Sequence, residues 1–264
     1  MIGDMQKWTP NVAGIIEHAR EIHPKTEIIS RLVSGEIHRS NYEKVCIRSR
    51  KLASALEKDG VKKGDVIATL ALNTYRHLEM YYGISGMGAI THTLNFRLHP
   101  EQAVYIINHA EDKIIFVELP FVPILEALQE NLKTVEKYVV LCEVDEMPET
   151  TLKNAISYEE YIQDGDENYS WPTLEDDAAC ALCYTSGTTG NPKGVLYSHK
   201  SNVIHAQAAL TAMTIKPDDT ILMVVPLFHV LAWGIPYFGP MNGLKLVMPG
   251  MQMEGEPLFE LIDQ

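Results

Sequence analysis

Tyr184-Thr185-Ser186-Gly187-Thr188-Thr189-Gly190-Asn191-Pro192-Lys193-Gly194-Val195 opens where an apolar run, Ala178 to Tyr184, stops. It closes where apolar sequence resumes at Val195-Leu196-Tyr197. Four hydroxyl side chains, three glycines and one lysine fall within residues 185–194. These are the residue types a polyphosphate needs. Glycine lets backbone N–H groups approach phosphate oxygens that a side chain would fend off. Ser and Thr hydroxyls add rotatable donors or a magnesium ligand, and Lys193 brings a mobile positive charge. The string is not a Walker A sequence, which requires Gly-Lys-Ser/Thr, because Pro192 precedes Lys193. A solvated turn is the plain alternative, but the length and unbroken order of the string favour a phosphate cradle.

After this string, residues 200–213 read as a helix and 220–225 as a strand. Next comes Pro226-Leu227-Phe228-His229-Val230-Leu231-Ala232-Trp233-Gly234. A lone histidine among apolar residues is ordinarily a hydrogen-bonded core residue, and a lone tryptophan ordinarily packs. Upstream, residues 27–37 read as a strand and turn bent at Ser34-Gly35, and 41–58 as a helix stopped by Gly60. Ser40-Asn41-Tyr42-Glu43 introduces that helix with capping-box spacing. Strands are expected at 66–72, 89–94, 114–117 and 138–141. Helices are expected at 75–87, 100–108 and 122–132, the second entered through Pro100 at its first turn. The sustained alternation predicts an α/β fold with largely parallel sheets and helices on both faces. In such folds ligands sit at strand ends, so the 184–195 loop is expected in a turn from strand into helix. Residues 142–177 are acidic and polar, a solvated connection with one short helix at 157–161.

The whole chain has 264 residues, a formal net charge of −13, 46% hydrophobic and 22% charged residues. That composition suits a globular domain with a full core and disfavours nucleic acid or anionic membrane as partners. Four scattered cysteines, Cys46, Cys142, Cys180 and Cys183, do not make a disulfide scaffold and suggest a reducing compartment. Cys180 and Cys183 have CxxC spacing within a strand-like run, where buried structural thiols are the expectation. Residues 221–241 are apolar, with His229 the one titratable group, yet carry Pro226, Pro236 and Pro240 plus Gly234 and Gly239. A buried strand followed by a pocket wall fits them better than an integral membrane helix. Residues 1–10 contain no signal-like apolar stretch.

The run Thr185-Ser186-Gly187-Thr188-Thr189-Gly190-x-Pro192-Lys193-Gly194, followed by Ser198-His199, resembles the signature of the AMP-forming acyl-activating enzymes. That family includes acyl-CoA synthetases, luciferases and peptide-synthetase adenylation domains. Phe228-His229-Val230, Ala232-Trp233-Gly234 and Pro236-Tyr237, with Asn95-Phe96-Arg97-Leu98 and Glu101-Gln102, are similar to the medium- and long-chain fatty acyl-CoA synthetases.

The resemblance implies ATP-dependent adenylation of a fatty acid, release of pyrophosphate and transfer of the acyl group to coenzyme A. It implies that Thr185, Ser186, Gly187, Thr188, Thr189, Gly190 and Lys193 hold the phosphates, with Thr185 a contact to Mg2+. It also implies that His229 borders the carboxylate and the nascent acyl-adenylate, and that Trp233 gates an acyl tunnel. The expected setting is cytoplasmic, at most peripheral to a membrane. Residues 1–264 match only the front half of the family, an incomplete N-terminal domain without the C-terminal half and the small lid domain. Tyr-Gly-x-Thr-Glu, the ribose-binding Thr-Gly-Asp and the C-terminal lysine belong to that other half. The isolated chain is therefore expected to be inactive as a ligase, and to self-associate through apolar surface around residues 244–253. The alternatives are a natural truncated binding or interaction module, a ligase for an aryl or short-chain acid, and an unrelated phosphohydrolase.

Overall fold

The computed structural model describes residues 4–5, 8–175, 177–185 and 191–262. In chain order these form α1 (Val12–Ile22), β1 (Glu27–Arg31), β2 (Ile37–Asn41), α2 (Tyr42–Lys58), β3 (Val66–Leu70) and α3 (Tyr75–Gly86). Next are β4 (Ile90–Thr93), α4 (Pro100–Ala110), β5 (Ile114–Val117), α5 (Val122–Leu128), β6 (Lys137–Val140), β7 (Ala155–Ser157) and α6 (Tyr158–Gln163). The chain continues through β8 (Ala179–Thr185), β9 (Lys193–Ser198), α7 (His199–Ala212), β10 (Thr220–Leu222), α8 (Ile235–Met241), β11 (Lys245–Met248) and α9 (Gly255–Ile262).

Among the described residues the strands make two sheets, β10-β11-β1-β2 and β7-β6-β5-β3-β4-β8-β9. The larger sheet is parallel except where β9 runs antiparallel to β8, and in the smaller one β2 runs antiparallel to β1. The period-2 alternation of a strand divides the larger sheet's core. Ile67, Ile114, Phe116 and Val139 pack with α2, α3 and α6. Ala68, Ile115, Val117 and Val140 pack on the other face with α4 and α5. Helices thus cover both faces of the larger sheet.

Three expectations change. The 184–195 stretch leaves a strand but does not lead into a helix: Thr185 pairs with Lys193 across the antiparallel β8–β9 ladder, so its ends are those of a strand-to-strand connection. Ser40 is not the cap of α2, because it pairs with Ile28 inside β2. Asn41 caps instead, its side-chain oxygen accepting from the Lys44 amide at 2.9 Å. Finally, Leu244, Leu246, Val247 and Met248 are buried where β11 lies between β10 and β1, so they are not surface. Within the 244–253 stretch Met251 is exposed, and other large apolar side chains are exposed on β9 (Val195, Leu196), at Ile204 and Trp233, and on α9 (Phe259, Ile262).

Helix α3 is buried at every residue. It lies between β1 of one sheet and β3, β4 and β8 of the other. A helix so enclosed must satisfy each polar side chain internally. Glu79 accepts from Arg48 at 2.7 Å and from the Tyr158 hydroxyl at 2.8 Å. Arg76 reaches Glu159 at 2.9 Å and Glu143 at 2.5 Å. Ser85 donates to the Cys180 carbonyl at 2.7 Å. His77 donates from Nδ1 to the Leu72 carbonyl at 3.0 Å, which leaves Nε2 to accept from Thr69 at 3.0 Å. Burial pushes the His77 imidazole down to about 4.

The turn between β3 and α3 joins the sheets. Asn73 donates from Nδ2 to the carbonyls of Met223 and Val225 at 2.8 and 2.9 Å, and its Oδ1 accepts from the Leu227 amide at 2.8 Å. Its own carbonyl accepts from Gly250 at 3.1 Å. The neighbouring Leu72 amide donates to Glu118 at 3.2 Å. Burial pushes that carboxyl up to about 7.

Removing the Asn73 amide strands two carbonyls and one N–H. Asn73→Ala is expected to destabilise the fold by on the order of 4 kcal/mol, measured by urea unfolding. Glu118 binds its proton more tightly in the folded state. Its contribution is fully present below its ordinary value of 4.5 and is lost as pH rises through about 7. Glu118→Gln keeps an acceptor without the charge. Between pH 4.5 and 8 its stability relative to the unmodified chain is expected to improve by about 3 kcal/mol.

Candidate active site

At the carboxyl ends of β4 and β8 a cavity of about 250 Å³ opens between α4 and residues 228–230. Thr185 and His229 both line it, with Asn95, Leu98 and Gln102 on the α4 side. Two motifs 44 positions apart, 229 minus 185, therefore meet at one site. Thr185 is the exposed last residue of β8, where the apolar run gives out and the ladder carries its side chain to the rim. Ser186, Gly187, Thr188, Thr189 and Gly190 lie outside the described residues. Lys193 faces Thr185 across the ladder and is exposed. Among the described residues it is not part of this cavity wall.

His229 is placed by its backbone. The preceding residues are held by Asn73 at Leu227, by the Tyr81 hydroxyl donating to the Leu227 carbonyl at 2.5 Å, and by Thr93 donating to the Phe228 carbonyl at 3.3 Å. Phe228 meets Phe96 edge-on, with ring centroids 5.0 Å apart. The His229 amide donates to the Pro226 carbonyl at 2.9 Å, leaving an exposed imidazole at the cavity. Across from it, the Tyr184 hydroxyl is 2.6 Å from His109 Nδ1, and burial pushes the phenol up to about 12.

Beyond His229 the chain makes a left-handed turn. Val230, Leu231, Ala232 and Trp233 have φ of 46°, 51°, 48° and 56°, followed by Gly234 at 81°. Each non-glycine residue in this region is strained by roughly 1–2 kcal/mol. Burial of Leu231 and Ala232 opposes that strain. The turn separates the two aromatic candidates of the sequence motif. Trp233 is 62% exposed and lines a second cavity, of about 390 Å³, with Ser201 and His205. The two cavities share Tyr197 and Val230. Sequence reasoning missed Asn73, Tyr81 and Thr93, which act on this site through contacts far apart in the chain. The available signal was a polar Asn-Thr pair directly after an apolar strand.

The electrostatics of the cavity rim are set by few groups. Cys183, beneath Thr185, shares a 3.3 Å contact with Thr93, and burial pushes its thiol up. Cys180 accepts from the Asn202 amide at 3.0 Å, so the CxxC pair is engaged in separate packing contacts. Among the described residues there is no cluster of three His, Cys, Asp or Glu side chains able to hold a metal ion. No described helix is long and apolar enough to cross a membrane. A Cβ on Gly234 would fall 2.6 Å from the His205 ring at a φ that disfavours side chains. Gly234→Ala is expected to lower the thermal unfolding midpoint by roughly 5 °C, with His205→Ala recovering part of the loss in the double variant.

The chain resembles proteins of one family throughout. The family model described as AMP-binding enzyme matches residues 16–264. A medium-chain-fatty-acid–CoA ligase from Ectopseudomonas oleovorans is 45% identical over 99% of this chain and 48% of its own length. A 3-methylmercaptopropionyl-CoA ligase from Ruegeria lacuscaerulensis is 43% identical over 100% of the chain and 49% of its own length. A long-chain-fatty-acid–CoA ligase from Thermus thermophilus is 41% identical over 96% and 46%. The chain spans about half the length of the curated relatives it matches. Among solved structures, an anthranilate CoA ligase in complex with anthranoyl-AMP superimposes with a TM-score of 0.86 at 23% identity, over 99% of this chain and 49% of its own. The N-terminal domain of a Mycobacterium tuberculosis protein, FACL13, gives 0.83 at 24% identity, over 96% and 60%. These two share the fold. With the signature string at the carboxyl end of β8 and a family match over nearly its whole length, the chain belongs to the AMP-binding enzyme family.

Proposed function

We propose that this chain supplies the phosphate-loop and carboxylate-facing half of an acyl-CoA ligase that activates a medium- or long-chain fatty acid. The observation that carries the reading is the single cavity walled by both Thr185 and His229. In the reaction so proposed, the substrate carboxylate attacks the α-phosphorus of ATP. Pyrophosphate leaves, and the acyl group then passes to the thiol of coenzyme A with release of AMP. No side-chain nucleophile is required; the protein contributes positioning and neutralisation of charge.

Within that scheme Thr185, Ser186, Gly187, Thr188, Thr189, Gly190 and Lys193 take the phosphates, and His229 faces the carboxylate. Trp233 stands over the neighbouring cavity, where an acyl chain is accommodated. The donor set fits Mg2+ in one way: a single hydroxyl, Thr185, at an exposed strand end suits an ion carried mainly by phosphate oxygens and water. When bound, the ion would neutralise charge on the pyrophosphate. A cytoplasmic setting is part of the same proposal.

A second reading, a ligase for a short acid, is favoured by the near-equal identity to the 3-methylmercaptopropionyl-CoA ligase. The test is carboxylate-dependent exchange of labelled pyrophosphate into ATP by the complete gene product. Exchange with octanoate to palmitate is the expected result. Exchange confined to short or aryl acids supports the second reading, and exchange with none overturns both. The 264-residue chain alone, which spans about half the length of its curated relatives, is expected to show no exchange above background.

A further inference from the structure

His92 and Asp112 form a buried pair on the α4 side of the sheet. His92 Nδ1 lies 3.0 and 2.8 Å from the two carboxylate oxygens of Asp112, and both side chains are 0% exposed. The other ring nitrogen, Nε2, is buried and has no hydrogen-bond partner among the described residues. His92 nevertheless lines the cavity that holds Thr185 and His229. The imidazole packs against Tyr184, another wall residue of that cavity, with ring centroids 5.2 Å apart. A buried polar atom left unpaired bears its full desolvation cost, so an orphan at a cavity wall marks where a ligand atom belongs.

We infer that His92, oriented by Asp112, donates a hydrogen bond from Nε2 to an oxygen of the anion that occupies this cavity, a carboxylate or a phosphate. The polarity follows from charge. An enclosed carboxylate–imidazole pair is most favourable with no net charge. That requires two protons: one between Asp112 and Nδ1, and one on Nε2. In that uncharged state, with the shared proton between Asp112 and Nδ1, Nε2 carries hydrogen and is the donor the inference requires. Burial raises the Asp112 carboxyl, opposed by His92, which favours the same protonated pair. Asp112 touches no ligand itself. It is a positioning residue that fixes the imidazole's orientation, as carboxylates behind ligating histidines do.

The inference rests on the proposed function only in taking the occupant to be an acid or a polyphosphate. The experiment is a long-range proton–nitrogen spectrum of the 15N-histidine-labelled 264-residue chain, titrated separately with sodium octanoate and inorganic pyrophosphate. The His92 signals are assigned by their loss in His92→Gln. The expected result is a saturable shift of His92 Nε2 with one of the two probes, which also says whether carboxylate or phosphate is the partner. His92→Gln should weaken affinity for that probe about tenfold, the value of one charge-assisted hydrogen bond. Asp112→Asn should weaken it while displacing the Nδ1 signal, a change that loss of packing alone would not produce. If the His229 signals respond while His92 stays unmoved, the inference fails and the functional reading stands. If no signal from the cavity responds to either probe, both fail. Should His92→Gln not fold, a crystal soaked with the responding probe decides: an oxygen within about 3.2 Å of Nε2 supports the contact, and a greater separation overturns it.

Discussion

A single primary amide, that of Asn73, fixes the position of the candidate site. It lies in the turn at the carboxyl end of β3, the central strand of the seven-stranded sheet, and it binds three backbone groups of residues 223–227, about 150 positions away. Two donors and an acceptor in one plane are what those groups demand. A carboxylate offers no donor and an aliphatic side chain offers nothing. Because His229 follows Leu227 by two residues, the same amide that joins the sheets also sets where the imidazole emerges. Glu118 behind Leu72 and His77 in front of it hold the turn from both sides. The site is thus a property of the junction between sheets, and neither sheet alone defines it.

Helix α3 shows why much of this order was only partly legible in the sequence. A helix enclosed on every side has no solvent face, so residues 75–86 lack the apolar stripe that marks an amphipathic helix. Its existence could be read from composition and from its place between two apolar strands, but not its central position. The polar residues it carries are matched by Arg48, Tyr158 and Glu159 from other helices, pairings that no local pattern announces. The alternation of strands and helices was legible for the opposite reason. Strands buried on both faces, such as Ile114–Val117, are continuous apolar runs with sharp ends. Boundaries failed where two neighbours could serve equally: Ser40 and Asn41 are both good caps, and the choice between them was made by the pairing of β2 with β1.

The same division applies to the site. Thr185 and His229 were legible because each sits in a long, ordered string of unusual composition, and the fold brings them to one cavity. Trp233 was legible as a candidate, but its separation from His229 depends on a left-handed turn of four non-glycine residues. No propensity argument would assign that turn to Val230 or Trp233. It exists because the surrounding packing over-determines it. His92 and Asp112 were invisible in the sequence for a simpler reason: a histidine in a strand and an aspartate after a helix are each unremarkable until the sheet brings them to 2.8 Å.

The strand-to-strand setting of the signature loop affects how it can attract an anion. Many phosphate sites sit on the first turn of a helix and draw on its aligned peptide dipoles, a permanent and weakly screened source of positive potential. Here the next helix, α7, starts only after the six residues of β9, some 16 Å farther along the strand. At that range its dipole contributes little. In the phosphate-binding role proposed above, attraction would fall instead to the exposed ammonium of Lys193 and to hydroxyl donors, on a chain whose net charge is −13. Such a site works by close-range contact against a repulsive long-range field, so mobile ions assist it by screening the repulsion as much as they weaken the contact. The nucleotide binding proposed above would therefore depend on ionic strength far less steeply than in enzymes that steer their substrate from a distance.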